Sequence, residues 1–599
     1  MNIKNYTIEE LEELSQKIRQ RILEVVSKNG GHLSSTLGAV ELIVSMHYVF
    51  DVEKDPFIFD VSHQAYAHKL LTDRWEQFDT LRQFGGISGY TKPKESPYDY
   101  WVAGHSSTSI SLAVGAAKAI ALKNEDRVPV VLIGDGAMSA GMVYEALNEL
   151  GDRKYPVVII LNDNEMSIAK PIGAVSKYLS QKMASPFYQN MKKRTEQLLK
   201  HLPESATYIA KRMEESLKLI TPGILFEELG IDYIGPIDGH DLKVLIETLT
   251  IAKQMNRPVI IHAQTLKGKG YKIAEGYYEH WHGVGPFDIS TGESLKKSTK
   301  PSATSIFSKK LYDLAKEDET VVGVTAAMPS GTGLKPLIED FGDRFWDVGI
   351  AEQHAVTSMG PLAKEGFKPF VAIYSTFLQR GYDQVIHDIA LMDVGVAFAI
   401  DRAGIVGEDG ETHQGAFDVS YLRPIPNMHL FAPRDPKTLE YAVEFAKDFD
   451  RPCAFRYPRG SFILDDEFEA KPFELGKAEL LVESEGDVLF VGYGNGVGRA
   501  YETMKHIDEP VSLLDLRFVK PLDVELLQEL SKRYRQWFVF SDSAKLGGVA
   551  SALLELELPV EIVTFEYEDQ FIPHGKVIDV EKALGLLPQQ LAKRVKSFI

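Results

Sequence analysis

Short apolar runs alternate with stretches of helical period along most of this chain. Residues 128–133, 157–161, 259–262, 321–324, 370–373, 394–400, 488–491 and 537–540 are strand candidates. Many are rich in Val and Ile and bounded by Gly, Pro or Asp, as expected of strands buried on both faces. Helix-period segments such as 138–150 and 242–253 lie between them. The alternation predicts an α/β protein of doubly wound, largely parallel sheets. Two stretches break the rhythm. STGESLKKSTKPSATS at 290–305 reads as a linker, and 459–478 holds RGSF, an acidic patch and a Pro. They predict three domains, 1–300, 301–470 and a smaller 471–599. Residues 170–221 lack clear strands and carry many charges, which predicts a helical or mobile excursion able to cover a site.

Composition changes this picture in two ways. The 599 residues carry a net charge of −19, which argues against a nucleic-acid surface. An anionic substrate would then need a local cluster of Arg, Lys or His. Cys453 is the single cysteine, so neither an internal disulfide nor a cysteine-based zinc site can form, in keeping with a reducing cytoplasm. The N-terminal stretch MNIKNYTIEELEELSQ is polar and acidic, unlike a signal peptide. No run of about 18 apolar residues predicts a membrane span.

The first chemical signal is a pair of strand ends. VPVVLI runs into Gly134-Asp135-Gly136-Ala137, and YPVVIIL runs into Asn162-Asp163-Asn164-Glu165-Met166. Strands separated by one helix in a parallel sheet present their C-terminal ends side by side at the ligand-binding edge. A carboxylate and an amide oxygen would meet there, the hard ligands that Mg²⁺ takes together with phosphate oxygens. The glycines allow close backbone approach to a diphosphate, and the following helix start favours negative charge. GDG alone also serves ordinary turn chemistry. Paired with NDN, it looks like the thiamine-diphosphate motif, which implies that Asp135 and Asn164 bind the metal through side chains and Met166 through its carbonyl.

Four histidines, His32, His63, His105 and His282, sit among small or polar neighbours suited to a tight approach to a ligand. Imidazoles there can donate to diphosphate oxygens or move protons near neutral pH. Each alone also reads as structural. His47 and His262 sit in apolar stretches and are read as packing residues, and His68 fits either role. Further on, DVGIAEQHAVT places Glu352 after an apolar approach. A buried carboxyl with a raised pKa would suit the pyrimidine ring of thiamine, while a Glu at a helix start also complements the macrodipole. Phe377 follows a strand and suits stacking or plain packing. Arg402 and Arg459 lie at strand-end turns with Gly neighbours, a setting for bidentate phosphate binding or for surface ion pairs.

GHLSSTLGAVEL, GHSSTSIS, GDGAMSAGM, LNDNEMSI, LFEELGIDYIGPIDGHD, KGKGY, TAAMPSGTGL, DVGIAEQHAVT, AIYSTFLQR, DRAGIVGEDGETHQGAFDVSYLRPIPNM, RYPRG and RFVKPLD occur in this order along nearly the whole chain. Together they resemble the 1-deoxy-D-xylulose-5-phosphate synthase family. Transketolase shares only the general scheme; the DRAG…THQGAFD and TAAMPSGTGL segments point to the synthase. The resemblance implies a homodimer of three-domain chains with thiamine diphosphate and Mg²⁺, the site lying between the first two domains of one subunit. It implies decarboxylation of pyruvate and transfer of the two-carbon unit to D-glyceraldehyde 3-phosphate, feeding isoprenoid precursors, thiamine and pyridoxal phosphate. On this reading Glu352 activates the aminopyrimidine and Phe377 stacks on it. His63, Gly104, His105, Ser106, Gly136, Ala137, Asn164 and Tyr271 hold the cofactor, with Ile168 supporting its bend. His32, Ser35, Lys267, His282, Tyr374, Arg380, Asp409 and His413 line the substrate side, and Arg402 and Arg459 take the substrate phosphate.

Some positions depart from the family pattern. Ser62 replaces a Gly, Pro361 falls in a helix where Ala is usual, Gly381 stands for Ala, and Ser541-Asp542-Ser543 replaces a Glu-rich stretch. The same residues admit two further readings: another thiamine-dependent carboligase such as a transketolase or pyruvate dehydrogenase component, and a non-catalytic paralogue. Donor preference separates the first, and the intact Asp135, Asn164, Glu352 and His413 disfavour the second.

Overall fold

The computed structural model describes residues 2–164, 223–275, 280–295 and 300–599. Met166, Ile168 and the excursion at 170–221 lie outside these described residues. The chain forms two compact units. One comprises 1–81 and 86–296; the other comprises 82–85 and 297–599.

The first unit is built on a five-stranded parallel sheet in the order Phe57–Phe59, Val130–Gly134, Val158–Asp163, Val259–Gln264, Asp232–Asp238. Its central strands are apolar on both faces because both faces are covered. Val130, Leu132, Val158 and Ile160 join one core with the helices Ile8–Asn29, Val40–Val49 and Leu242–Gln254. Val131, Ile133, Ile159 and Leu161 alternate to the other face, against Ser109–Lys123 and Gly141–Arg153. In Gly141–Arg153 the buried residues Val143, Ala146, Leu147 and Leu150 follow the helical period, and Lys154 ends it in the left-handed region.

The second unit holds two sheets. The larger runs Phe518–Lys520, His429–Phe431, Cys453–Pro458, Ala397–Ala403, Lys368–Tyr374, Val321–Thr325, Phe345–Asp347 and is parallel except for its first pair. The smaller runs Glu479–Val482, Val511–Asp515, Val488–Tyr493, Gln536–Ser541, Glu561–Thr564, again with only its first pair antiparallel. The strand Phe518–Lys520 thus crosses from the last third of the chain onto the edge of the larger sheet. A single core also unites Val371, Ile373 and Phe398 of that sheet with Leu489, Val491, Trp537 and Val539 of the smaller one.

The stretch read as a linker at 290–305 already contains the start of the helix Ala303–Glu317, whose N-cap Ser302 accepts the Ser305 amide at 3.1 Å. Pro361 does lie inside a helix, Glu352–Lys364, near its end. Among the described residues no helix is long and apolar enough to cross a membrane.

Candidate active site

Asp135 opens the turn directly after Val130–Gly134, and Asn164 follows Val158–Asp163. Those strands are adjacent and parallel, with Gly134 opposite Asn162. Both side chains are buried, and Asp135 Oδ2 and Asn164 Oδ1 have no hydrogen-bond partner among the described residues. Two buried hard oxygens without protein donors fit a divalent cation that draws its remaining ligands from phosphate and water. Burial, with Asp163 adding to it and Lys267 opposing, pushes the Asp135 carboxyl up to about 6. A cation there would relieve that cost. Met166, the expected third ligand, lies outside the described residues.

The Gly104-His105-Ser106-Ser107 turn is fixed by a residue the motif reading missed. Asp60, at the end of a three-residue strand, accepts the Ser107 amide at 2.8 and 2.9 Å and the Ser109 amide at 3.3 Å. Ser107 adopts φ +72°, and its hydroxyl donates to the Ala137 carbonyl at 2.9 Å, tying this turn to the one that follows Gly136. Ser62 stands at φ +66°, a conformation that glycine adopts without strain. Its Oγ accepts the Thr91 amide at 2.9 Å, which offsets part of the cost.

A short antiparallel bridge pairs Gly31 with Val284 and His32 with Gly283, so segments distant in sequence meet. His32, His63 and His282 form a triangle of rings with centroids 5.4, 5.5 and 5.1 Å apart, and Tyr90 lies 5.6 Å from His32. Ser35 Oγ is 3.5 Å from His282 Nδ1. Burial, then the neighbouring His282 and Lys267, hold His63 well below the usual imidazole range, which keeps it neutral. Lys267 is buried and attracted to Asp135; burial lowers its pKa. Tyr271 turns its hydroxyl to the Ile289 carbonyl at 2.8 Å and packs edge-on against Trp281.

His262, read in the sequence only as a packing residue, is linked to Asp163. Tyr233 Oη lies 2.6 Å from His262 Nδ1, and His262 Nε2 lies 2.9 Å from Asp163 Oδ2. His47, His68 and Asp99 form a second buried chain at 2.9 and 3.1 Å, closed by Arg74. Both were invisible as motifs because each joins residues far apart in sequence.

In the second unit Glu352 is the first residue of Glu352–Lys364. It is buried, its Oε2 has no hydrogen-bond partner among the described residues, and Arg380 stands 3.7 Å away. Burial raises its carboxyl above the ordinary range against the pull of Arg380. Phe377 lies in the short helix after Lys368–Tyr374. It stacks on Tyr374 at 5.2 Å and meets His413 edge-on at 5.6 Å. The Arg402 guanidinium sits 4.2 Å above the Tyr374 ring. It donates to the Gly331 carbonyl at 2.6 Å and to Thr304 at 3.0 Å, and pairs with Asp401 at 2.9 Å. Burial pushes the Tyr374 hydroxyl up to about 12, and burial also lowers His413. Asp409 pairs with Arg82 at 2.5 Å. Arg459 is exposed and reaches the Val406 carbonyl and Glu408. Arg402 and Arg459 are thus engaged with protein groups as they stand.

Residues 1–265 match the family model for 1-deoxy-D-xylulose-5-phosphate synthase, 299–463 that for the transketolase pyrimidine binding domain, and 476–591 that for the transketolase C-terminal domain. Proteins named 1-deoxy-D-xylulose-5-phosphate synthase from Sulfurimonas denitrificans and Aliarcobacter butzleri are 68% and 65% identical, with 100% of both chains covered in each case. One of the same name from Wolinella succinogenes is 69% identical over 100% of this chain and 98% of its own. On these matches this chain belongs to the 1-deoxy-D-xylulose-5-phosphate synthase family.

Proposed function

We propose that this protein decarboxylates pyruvate and joins the remaining two carbons to D-glyceraldehyde 3-phosphate, giving 1-deoxy-D-xylulose 5-phosphate and CO₂. Thiamine diphosphate, when bound, supplies the acidic thiazolium carbon and the electron sink that the decarboxylation needs. The chain's own groups do the rest. Asp135 and Asn164, with the Met166 carbonyl, would hold Mg²⁺, which would anchor the diphosphate. His63, Gly104, His105, Ser106, Gly136, Ala137, Tyr271 and Ile168 complete the cofactor cradle. Glu352 would share a proton with the pyrimidine ring, a task suited to a carboxyl whose pKa burial has raised. Phe377, which lies against Tyr374 and His413, would stack on that ring.

His32, His63 and His282, with ring centroids 5.1–5.5 Å apart, would exchange protons with the carbonyl and hydroxyl oxygens of the substrates. Ser35, Lys267, Tyr374, Arg380, Asp409 and His413 orient the substrates. Arg402 and Arg459 take the phosphate and answer the net charge of −19 locally. The domains run 1–300, 301–470 and 471–599, and the working form is a cytoplasmic homodimer.

The observation that carries the reading is the pair of buried oxygens, Asp135 Oδ2 and Asn164 Oδ1, unpartnered among the described residues, on adjacent strand ends in a chain of this family. The test is incubation of the protein with pyruvate, D-glyceraldehyde 3-phosphate, thiamine diphosphate and Mg²⁺. CO₂ release with formation of 1-deoxy-D-xylulose 5-phosphate is expected, and absence of both overturns the reading.

A further inference from the structure

The GPIDGHD segment carries a histidine that the reaction above does not use. His240 follows Gly239, whose backbone abuts Gln264 and Thr265 closely. A Cβ on Gly239 would lie 2.5 Å from Thr265 Cγ2 and 2.7 Å from the Gln264 carbonyl. The Gly239 amide donates to that same carbonyl at 2.8 Å. This approach sets the His240 ring against Leu266, the residue before Lys267.

Two contacts then fix the ring. The Leu266 backbone amide lies 2.8 Å from Nε2, and Glu41 Oε2 lies 2.9 Å from Nδ1. A backbone N–H can only donate, so Nε2 is the acceptor and the imidazole proton sits on Nδ1, facing the carboxylate. Arg19 pairs with the same Glu41 oxygen. Burial opposes charge on Glu41, but His240 and Arg19 overcome it and bring its carboxyl down to about 2, so it stays ionised at neutral pH.

On its other side the Lys267 segment is equally confined. The Gly268 amide donates to the Ser34 carbonyl at 2.8 Å. Helix Ser34–Gly38 lies so close that a Cβ on Gly38 would be 3.0 Å from the Leu266 carbonyl and 3.4 Å from Lys267 Cα. The Leu266 side chain is exposed and Lys267 is buried, so the direction of the chain at this point decides where the ammonium goes.

We infer that His240 is a positioning residue for Lys267: held as the Nδ1–H tautomer by Glu41, it fixes the Leu266 amide and thereby aims Lys267 inward. The inference rests on the reading of Lys267 as a substrate-side residue. No other group of His240 is needed for the reaction.

The test compares wild type with His240→Gln, His240→Asn, Lys267→Ala and the double variant His240→Asn/Lys267→Ala. Gln can present an oxygen near the Nε2 position; Asn is too short to reach Leu266. Measurements are kcat/KM with pyruvate and D-glyceraldehyde 3-phosphate, melting temperature, and ¹⁵N NMR of histidine-labelled wild type. His240→Asn should lose about ten-fold or more in kcat/KM, from a lost hydrogen bond and a misaimed side chain. His240→Gln should recover most of that loss, and both should melt alike. Adding His240→Asn to Lys267→Ala should cost nothing further, because the two act in series. The His240 signal should report a proton on Nδ1.

Equal losses in the Gln and Asn variants, additive losses in the double variant, or a proton on Nε2 overturn the inference. An unimpaired Lys267→Ala refutes the role of Lys267, and with it the catalytic consequence of His240. An inactive Lys267→Ala beside equally impaired His240 variants refutes the positioning alone.

Discussion

Glu352 shows how one residue's environment sets its chemistry. It begins a helix, where a carboxylate is ordinarily favoured, yet its burial raises the pKa above the usual carboxylate range. Glu352→Gln keeps the shape and removes the titrating proton. Its kcat should fall by about 10² to 10⁴-fold while the melting temperature holds, as read by CO₂ release and thermal scanning. Gly381 lies against the same turn: a Cβ there would be 3.1 Å from Val356 Cγ2 and 3.5 Å from the Glu352 carbonyl. The Gly in place of Ala relieves a tight contact beside Glu352. Glu566 offers a pH test in the last third of the chain. It accepts the Val549 and Ala550 amides at 2.7 and 3.2 Å, yet burial pushes its carboxyl from 4.5 up to about 7. The folded state therefore binds this proton more tightly than the unfolded state. The resulting stability is complete below about 4.5 and lost as pH rises through about 7. Urea titrations at pH 5 and pH 8 should show a smaller difference in Glu566→Gln than in wild type. Equal differences would remove Glu566 as the source. Glu352 was legible because its motif is contiguous. Asp60 and His262 were not, because their partners lie at Ser107 and Asp163.

At the scale of elements, most central strands were legible from their Val and Ile runs, since a strand buried on both faces must be apolar throughout, but the interior strands Cys453–Pro458 and Val511–Asp515 were missed. The edge and short strands were not. Asp232–Asp238 is only part-buried and carries Gly235 and Pro236, while Phe57–Phe59 and His429–Phe431 span three residues each. Helix Asn495–Met504 illustrates packing that a pattern cannot reveal. Its Gly496 lies so near the strand Gln536–Ser541 that a Cβ would be 2.2 Å from the Phe540 carbonyl. The obstacle is backbone, which yields only if the helix lifts off the sheet. Gly496→Ala should destabilise the protein by about 1–3 kcal/mol or more in urea unfolding, with contacts in the first unit unaffected. Wild-type stability would show that the helix shifts freely.

For the whole molecule, a ligand that binds only the folded state raises stability by mass action. Saturating Mg²⁺ and thiamine diphosphate together should therefore raise the melting temperature, corresponding to about 2.7 kcal/mol at a hundred times the dissociation constant. Chelation should reverse the metal-dependent part, and Asp135→Asn should abolish it. A metal-dependent shift of wild-type size in Asp135→Asn would remove Asp135 as a ligand. The sequence by itself determined the alternation of strand and helix, the two strand-end motifs, and the family, because these are local patterns or long contiguous matches. Tertiary structure decided which residues share an environment. It closed His32, His63 and His282 into one triangle, carried Phe518–Lys520 onto the edge of another sheet, and set His240 against Leu266. Those pairings depend on backbone approach and burial between distant segments, quantities that no run of neighbouring residues encodes.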